Sequence, residues 1–302
     1  MKVALTGASG FVGRPLVQGL LEAGHSVHVL VRNVEQALSH LPAGVTGAPF
    51  QAGAPLPAEA LGGAEAVLHL AGEPVNQRWT HEGKRRIQDS RVEGTHAVVE
   101  AMKAAGTVRR LVSVSAVGYY GGARGAEPLM EESAPGTDFL AGVCVQWEAQ
   151  AQRAREAGVS LAVARMGVVL HPEGGALHTM LPPFRMGAGG RVGSGKQYVS
   201  WIHRADAVAA LRFLLEHPAL EGPFNLTSPE PVTNTEFAHI LAATLGRPSI
   251  MHVPAFVLKA ALGEMAQMAL EGQRVLPRRL TEAGFTPRFP RLEEALKDLL
   301  PS

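Results

Sequence analysis

Cysteine is nearly absent from this 302-residue chain: Cys144 stands alone, so no internal disulfide is available and a reducing compartment is expected. Charge is scarce as well. Charged residues make up 18% and the formal net charge is +1, which excludes the basic footprint of a polyanion-binding protein. The short cluster Lys84-Arg85-Arg86 falls in a helical pattern and reads as a solvated face. No apolar run reaches the ~18 residues of a membrane span. The chain enters its first strand-like run without a basic leader, an apolar core or a small-residue cleavage site. Histidines are scattered, with no H-E-x-x-H and no cysteine pairs, so no metal site is expected. These absences lead us to expect a cytoplasmic protein, monomeric or homodimeric, with a small-molecule ligand and neither nucleic acid nor membrane as partner.

What the chain does have is alternation. The runs "KVALTG", "SVHVLVR", "AVLHLAG", "RRLVSVSAV" and "SLAVARMGVVL" are rich in Val and Leu with few polar breaks, as strands covered on both faces are. Helical periodicity lies between them, for example Val12, Leu16 and Leu20 ahead of Gly24. Long crossovers between parallel strands give right-handed βαβ units, hence an α/β fold built on a doubly wound parallel sheet. Composition shifts after Leu170, towards a glycine-rich loop, the strand-like "YVSWIH" and a helix opened by the capping box Thr233/Glu236. The expected division is a dinucleotide-binding domain over 1–168, with 203–217 returning to it, and a smaller α+β substrate lobe over 169–302. The amphipathic "LEEALKDLL" should dock on the body.

The first strand runs into Gly7-Ala8-Ser9-Gly10-Phe11-Val12-Gly13 and then a helix. Small residues there let the backbone approach a pyrophosphate, and the helix N-terminus offers free N–H groups. Gly13 additionally lets the helix pack on the sheet. A lone glycine triplet is weak evidence; one placed between the first strand and first helix of a βαβ pattern is much stronger. The second strand ends in Arg32, with no carboxylate between Gly24 and Asn33 to hold ribose hydroxyls. A guanidinium grips a 2′-phosphate and an acid would repel it, so the expected cofactor is NADP(H). "GRVGSGKQ" at Gly190–Gln197 nearly matches a nucleotide-hydrolase phosphate loop. It lacks the final hydroxyl and leads into a strand, so it is read as a flexible rim of the substrate cleft.

With T-G-x-x-G-x-x-G at Thr6–Gly13, "HLAG" at His69–Gly72 and "SVSAVGYYG" at Ser113–Gly121, the chain resembles the extended short-chain dehydrogenases/reductases. "AGEPVNQRW", "SRVEGT", "CVQWE", "GSGKQYVSWIH" and "LEGQRVLP" narrow the likeness to their atypical, epimerase-like subgroup. The resemblance implies a Rossmann-type NADP-binding domain. It places Leu70, Ala71 and Gly72 near the adenosine side, and Arg165, Gly167 and Val169 near the nicotinamide. Trp201 and His203 should face the cleft at the lobe boundary, with Glu73 and Asn76 on its wall.

The usual catalytic pair is missing. Where the family has Tyr-x-x-x-Lys, this chain has Cys144 and Glu148, and no Tyr anywhere has Lys four positions later. Arg91 replaces the Asn of the N-V-x-G-T motif, and the catalytic serine aligns with either Ser115 or Ala116. Ser115 with Tyr119 is the leading substitute. Glu73 is a candidate acid/base, and Cys144 reads as an apolar filler whose thiolate Glu148 would disfavour. Two functions follow: an NADP(H)-dependent oxidoreductase or epimerase acting on a small polar substrate, a sugar nucleotide being one example, or a catalytically silent NADP(H) sensor.

Overall fold

A computed structural model describes residues 1–301. The strands β1 (Lys2–Thr6), β2 (Ser26–Val31), β3 (Thr46–Pro49), β4 (Ala66–His69) and β5 (Arg110–Ala116) are followed by β6 (Ala123–Leu129), which lies outside the main sheet, and by β7 (Ser160–Met166). The main sheet has seven parallel strands in the order Gly222–Leu226, β7, β5, β4, β1, β2, β3. Strand order reverses between β1 and β4, where Thr6 pairs with His69. Doubly wound sheets bind ligands in the crevice at that point, beyond the carboxyl ends of the strands.

Alternation along the strands feeds two cores. Val3, Leu5, Val29, Val112 and Leu226 pack with Leu16, Val17 and Leu20 of helix α1 (Gly13–Glu22) and with Leu211 and Leu214 near the sheet's other half. Ala4, Leu30, Val67, Leu111 and Val163 face the opposite way, onto Val98 and Met102. After the short α2 (Val34–Leu38), those two residues belong to α3 (His81–Ala105); Ala151 of α4 (Phe139–Gln152) completes the layer. The period of two in the strands thus produces a three-layer sandwich.

A third core gathers residues from the second half of the chain: Leu177, Leu181 and Phe184 of α5 (Gly175–Arg185), Trp201, Phe237, Leu241 and Leu296. The C-terminal helix Leu292–Leu299 docks here through Leu292, Leu296 and Leu299. Helix α6 (Arg204–Glu216) supplies Leu211 and Leu214 to the first core. The segment returning to the sheet is longer than 203–217, because Gly222–Leu226 forms an edge strand against β7. In the other direction, β6 leaves the first 168 residues to pair with Gly272–Val275.

One local reading comes out differently in detail. "YVSWIH" is two short strands, Tyr198–Val199 and Trp201–His203, parted at Ser200, whose carbonyl accepts from Val168. Asp206 belongs to the first turn of α6, and His203 is the N-cap. The Asp206 carboxylate is buried and accepts from the N–H groups of Arg288 (2.8 Å) and Phe289 (3.0 Å), fixing the C-terminal segment to α6. Thr233 and Glu236 do form the reciprocal capping box of α7 (Asn234–Thr244).

Asp206→Ala should therefore leave two backbone N–H groups, that of Phe289 buried, without a partner and destabilise the fold by about 2 kcal/mol. Scanning calorimetry reads this as a fall in Tm of several degrees, and an unchanged Tm would mean that the carboxylate contributes nothing.

Candidate active site

Helix α1 opens without a side-chain cap and without an acidic residue in its first turn, so its free N–H groups and positive dipole end face the glycine loop unopposed. The loop's shape is dictated by crowding. Gly7 has φ +73°, and a Cβ there would lie 3.0 Å from the Leu70 carbonyl carbon. A Cβ on Gly13 would collide with the Gly7 carbonyl oxygen. Gly10 donates to that same oxygen at 2.9 Å. Ser9 and Gly10 are exposed, Phe11 and Val12 half-buried. The Phe11 ring packs on Gly174 and Gly175, with Arg204 5.4 Å from its centroid, so the loop is braced by the smaller lobe. Arg32 is exposed at the end of β2 and forms no ion pair among the described residues. An uncapped, glycine-lined helix start and a free guanidinium at the strand end together fit a phosphorylated dinucleotide.

The other wall of the crevice is tied to this loop through Thr6. Its hydroxyl accepts from the N–H groups of Leu70 and Ala71, both at 3.0 Å, and lies 2.8 Å from His69 Nδ1. Both lone pairs being occupied, the Thr6 proton goes to Nδ1, and Nε2–H then donates to Thr95 Oγ1 at 3.0 Å. Burial lowers the His69 pKa to about 4, which suits this neutral ring.

Further along the sheet, four elements converge on one buried cation. Arg165 of β7 donates through Nε and Nη2 to the two oxygens of Glu148, both at 2.9 Å. Its Nη1 donates to Tyr120 Oη (2.9 Å) and to the Glu131 carbonyl (3.0 Å), and its plane lies 3.4 Å from the Tyr119 ring centroid. Burial opposes the charge, yet the Glu148 carboxylate holds the Arg165 pKa above its ordinary value. Ser115, at the end of β5, donates to Glu148 Oε1 at 2.8 Å. Tyr120 in turn donates to Asn225 Oδ1 at 2.7 Å, and burial pushes its pKa up to about 12 against the pull of Arg165.

The sequence-derived residues are sorted by this geometry. Ser115 and Tyr119 do come together, joined through Glu148 and Arg165; Ser115 is buried and Tyr119 half-buried. Arg165, expected as a cofactor contact, gives four of its five N–H groups to protein partners, so it is a positioning residue behind the site. Gly167 is needed for close packing, since a Cβ there would press on the Ser200 carbonyl and the Thr227 methyl. Val169 is half-buried and pairs with Ile202.

Trp201 and His203, expected to face the cleft, are both buried against protein neighbours. Trp201 is fully buried in the third core and donates to the Glu230 carbonyl at 3.1 Å. His203 is buried too: it caps α6 through Nδ1 and stacks 4.1 Å from Phe289. Glu73 is half-buried and Asn76 exposed, on the loop that follows Gly72. The Gly193–Gln197 loop borders a cavity of about 320 Å³ with Lys259, Gln267 and Glu271, and Gln197 anchors it to the Ala269 carbonyl at 2.9 Å.

Cys144 stands one helical turn before Glu148 on α4; burial and that carboxylate push its thiol up to about 12. It is no nucleophile at neutral pH. The sequence reading missed the partner roles of Glu148 and Arg165 and the buried Glu131, whose Oε1 accepts from Asn225 (3.1 Å) and Arg279 (3.2 Å). Only the alignment of Glu148 with the family's lysine pointed there.

Residues 3–227 match the NAD dependent epimerase/dehydratase family. The chain belongs to that family. Residues 253–299 match a second model, described as a domain of unknown function. The chloroplastic epimerase family protein SDR39U1 homolog of Arabidopsis thaliana is 41% identical over 99% of this chain and 87% of its own. The epimerase family protein Mb2239 of Mycobacterium bovis is 39% identical over 97% of this chain and 96% of its own. The crystal structure of human epimerase family protein SDR39U1 with NADPH matches with a TM-score of 0.85 at 34% identity, covering 99% of both chains. A nucleoside-diphosphate sugar epimerase from Corynebacterium glutamicum matches at 0.79 and 33% identity, over 99% of this chain and 58% of that one. No helix among the described residues of this epimerase-family protein is long and apolar enough to cross a membrane.

Two outcomes follow from the buried groups. Arg165→Met or Glu148→Leu alone strands a buried charge and should cost about 3–5 kcal/mol, while the double variant should lose clearly less than the sum. Denaturant unfolding of the four proteins measures it, and additivity would exclude the coupling. Because the folded pKa of His69 lies near 4 and its unfolded value near 6.5, the unfolded state binds the proton first. The contribution of His69 to stability is complete above about pH 6.5 and declines as pH falls towards 4. His69→Gln should flatten the stability profile in that window.

Proposed function

We propose that this epimerase-family protein binds NADP(H) in the crevice between β1 and β4 and works as an NADP(H)-dependent oxidoreductase or epimerase on a small polar substrate. The observation that carries the reading is the uncapped, glycine-lined start of α1 at the point of strand reversal, with Arg32 unpaired at the end of β2. That the human relative was solved with NADPH supports the choice of cofactor. Gly7, Ser9, Gly10, Phe11, Val12 and Gly13 would line the pyrophosphate, Arg32 would grip the 2′-phosphate, and Leu70, Ala71 and Gly72 would border the adenosine side. When bound, the nicotinamide supplies or accepts a hydride.

The geometry refines the role of Ser115. Its proton is donated to Glu148, so towards the site it presents lone pairs and accepts from a substrate hydroxyl. Arg165 keeps Glu148 in that pose from behind. Tyr119, at the outer face of the cluster, or an ordered water handles the substrate's proton.

One observation favours the second reading, a silent NADP(H)-binding sensor. Cys144, where the family's tyrosine stands, and the neighbouring Tyr120 both have pKa values near 12, far from those of groups that exchange protons at neutral pH. NADPH consumption with a panel of carbonyl compounds, together with detection of epimerised product from sugar nucleotides incubated with NADP(H), separates the two. The enzyme reading expects turnover that falls at least about tenfold in Ser115→Ala and Tyr119→Phe, at unchanged NADPH affinity. Tight NADPH binding with no turnover on any substrate would leave the sensor.

Arg32→Glu should weaken NADPH binding by about tenfold or more and spare NADH. Calorimetric titration of both nucleotides tests this, and equal affinities in the unmutated protein would defeat the NADP(H) assignment.

A further inference from the structure

We propose that Arg91 is an anion-binding residue of the substrate site, and that the substrate carries a carboxylate or phosphate group. This rests on the cofactor reading above, which places the reacting carbon near Ser115.

Arg91 stands where the family motif has an asparagine, midway along α3. Its Nη1 donates to two backbone carbonyls, of Glu73 at 2.9 Å and Ile87 at 3.0 Å. Its guanidinium lies over the Trp147 ring, 5.1 Å from the centroid, on α4 between Cys144 and Glu148. A Cβ on Gly72 would come within 3.1 Å of Arg91 Cζ, so the absence of a side chain there is what lets the cation sit against the β4 loop. The side chain is thereby fixed between the loop assigned to the cofactor and the helix positions where the family places its proton relay.

What it lacks is a counter-ion. Nε and Nη2 have no hydrogen-bond partner, and the guanidinium forms no salt bridge, among the described residues. Burial lowers its pKa, and of the neighbours that offset this only Glu73 carries a negative charge at neutral pH. Arg165 shows the contrast: more deeply buried, it has a bidentate carboxylate of its own. A half-buried guanidinium held rigidly with its fork unfilled is preorganised for an oxyanion, and a ligand that brings the negative charge removes the penalty of confining the cation. The pyrophosphate has its own cradle at the glycine-lined start of α1, which leaves Arg91 to the substrate.

The test titrates the NADPH-loaded protein with malonate, inorganic phosphate and glycerol at low chloride, following heat. Malonate or phosphate should bind saturably and glycerol should not; which anion binds more tightly distinguishes a carboxylate from a phosphate substrate. R91Q keeps a donor for the two carbonyls and removes the charge; it should weaken anion binding at least about tenfold, with NADPH affinity within about threefold. R91K, which keeps the charge without the fork, should fall between. Equal anion binding by wild type and R91Q, or no anion binding by wild type, overturns the proposal. A parallel loss of NADPH affinity in R91Q, with Tm unchanged, also overturns it by assigning Arg91 to the cofactor. Failure of the unmutated protein to bind NADPH would instead be a failure of the cofactor reading, seen before any anion is added.

Discussion

The hydroxyl of Thr6, at the end of the first strand, receives two backbone N–H groups from the loop after β4 and gives its proton to His69, which passes the chain on to Thr95 of α3. Three elements are thus held at fixed separation where the strand order reverses. The crowding around Gly7 and Gly13 makes sense only with that separation: β4's loop comes close enough to forbid a side chain on one side of the crevice, and α1 does so on the other. A crevice this narrow admits a backbone-recognised ligand, and its floor is neutral because burial keeps the imidazole uncharged.

Charge is handled in opposite ways by the two arginines that meet α4 at Trp147 and Glu148. Arg165 is buried with its countercharge, and the pair in turn sets the direction of the Ser115 hydroxyl. An ion pair this confined is an uncertain source of net stability, because desolvation offsets attraction. Its clearer consequence is geometric: serine, carboxylate, guanidinium and two tyrosine rings occupy one arrangement. Arg91 is confined without such a partner, and that asymmetry separates a residue that supports the site from one that faces it. The Tyr-x-x-x-Lys relay of the wider family is replaced here by a thiol and a carboxylate. The electrostatics therefore differ at the position where family members move a proton.

Much of the sheet was legible from the chain because Val- and Leu-rich runs between helical periods have few alternative packings; β1, β2, β4, β5 and β7 all coincide with such runs. The edge strand Gly222–Leu226 and the pairing of β6 with Gly272–Val275 were not legible. "ARGAEPL" carries no alternating pattern, being exposed along most of its length, and the partner lies more than a hundred residues away. The burial of Trp201 and His203 was illegible for a related reason: a conspicuous aromatic or imidazole in a motif looks the same in sequence whether it faces a ligand or a neighbouring helix.

The sequence alone determined the glycine loop, the missing acid at the end of β2 and the missing Tyr/Lys pair, because each depends on which residue type stands at a local position, and local steric and charge rules decide its meaning. Only the tertiary structure decided that Glu148 belongs to both Ser115 and Arg165, that Arg165 spends four of its five N–H groups on protein partners, and that Arg91 spends far fewer. Hydrogen-bond capacity is settled by what else arrives within about 3 Å, and those neighbours come from strands and helices far apart along the chain.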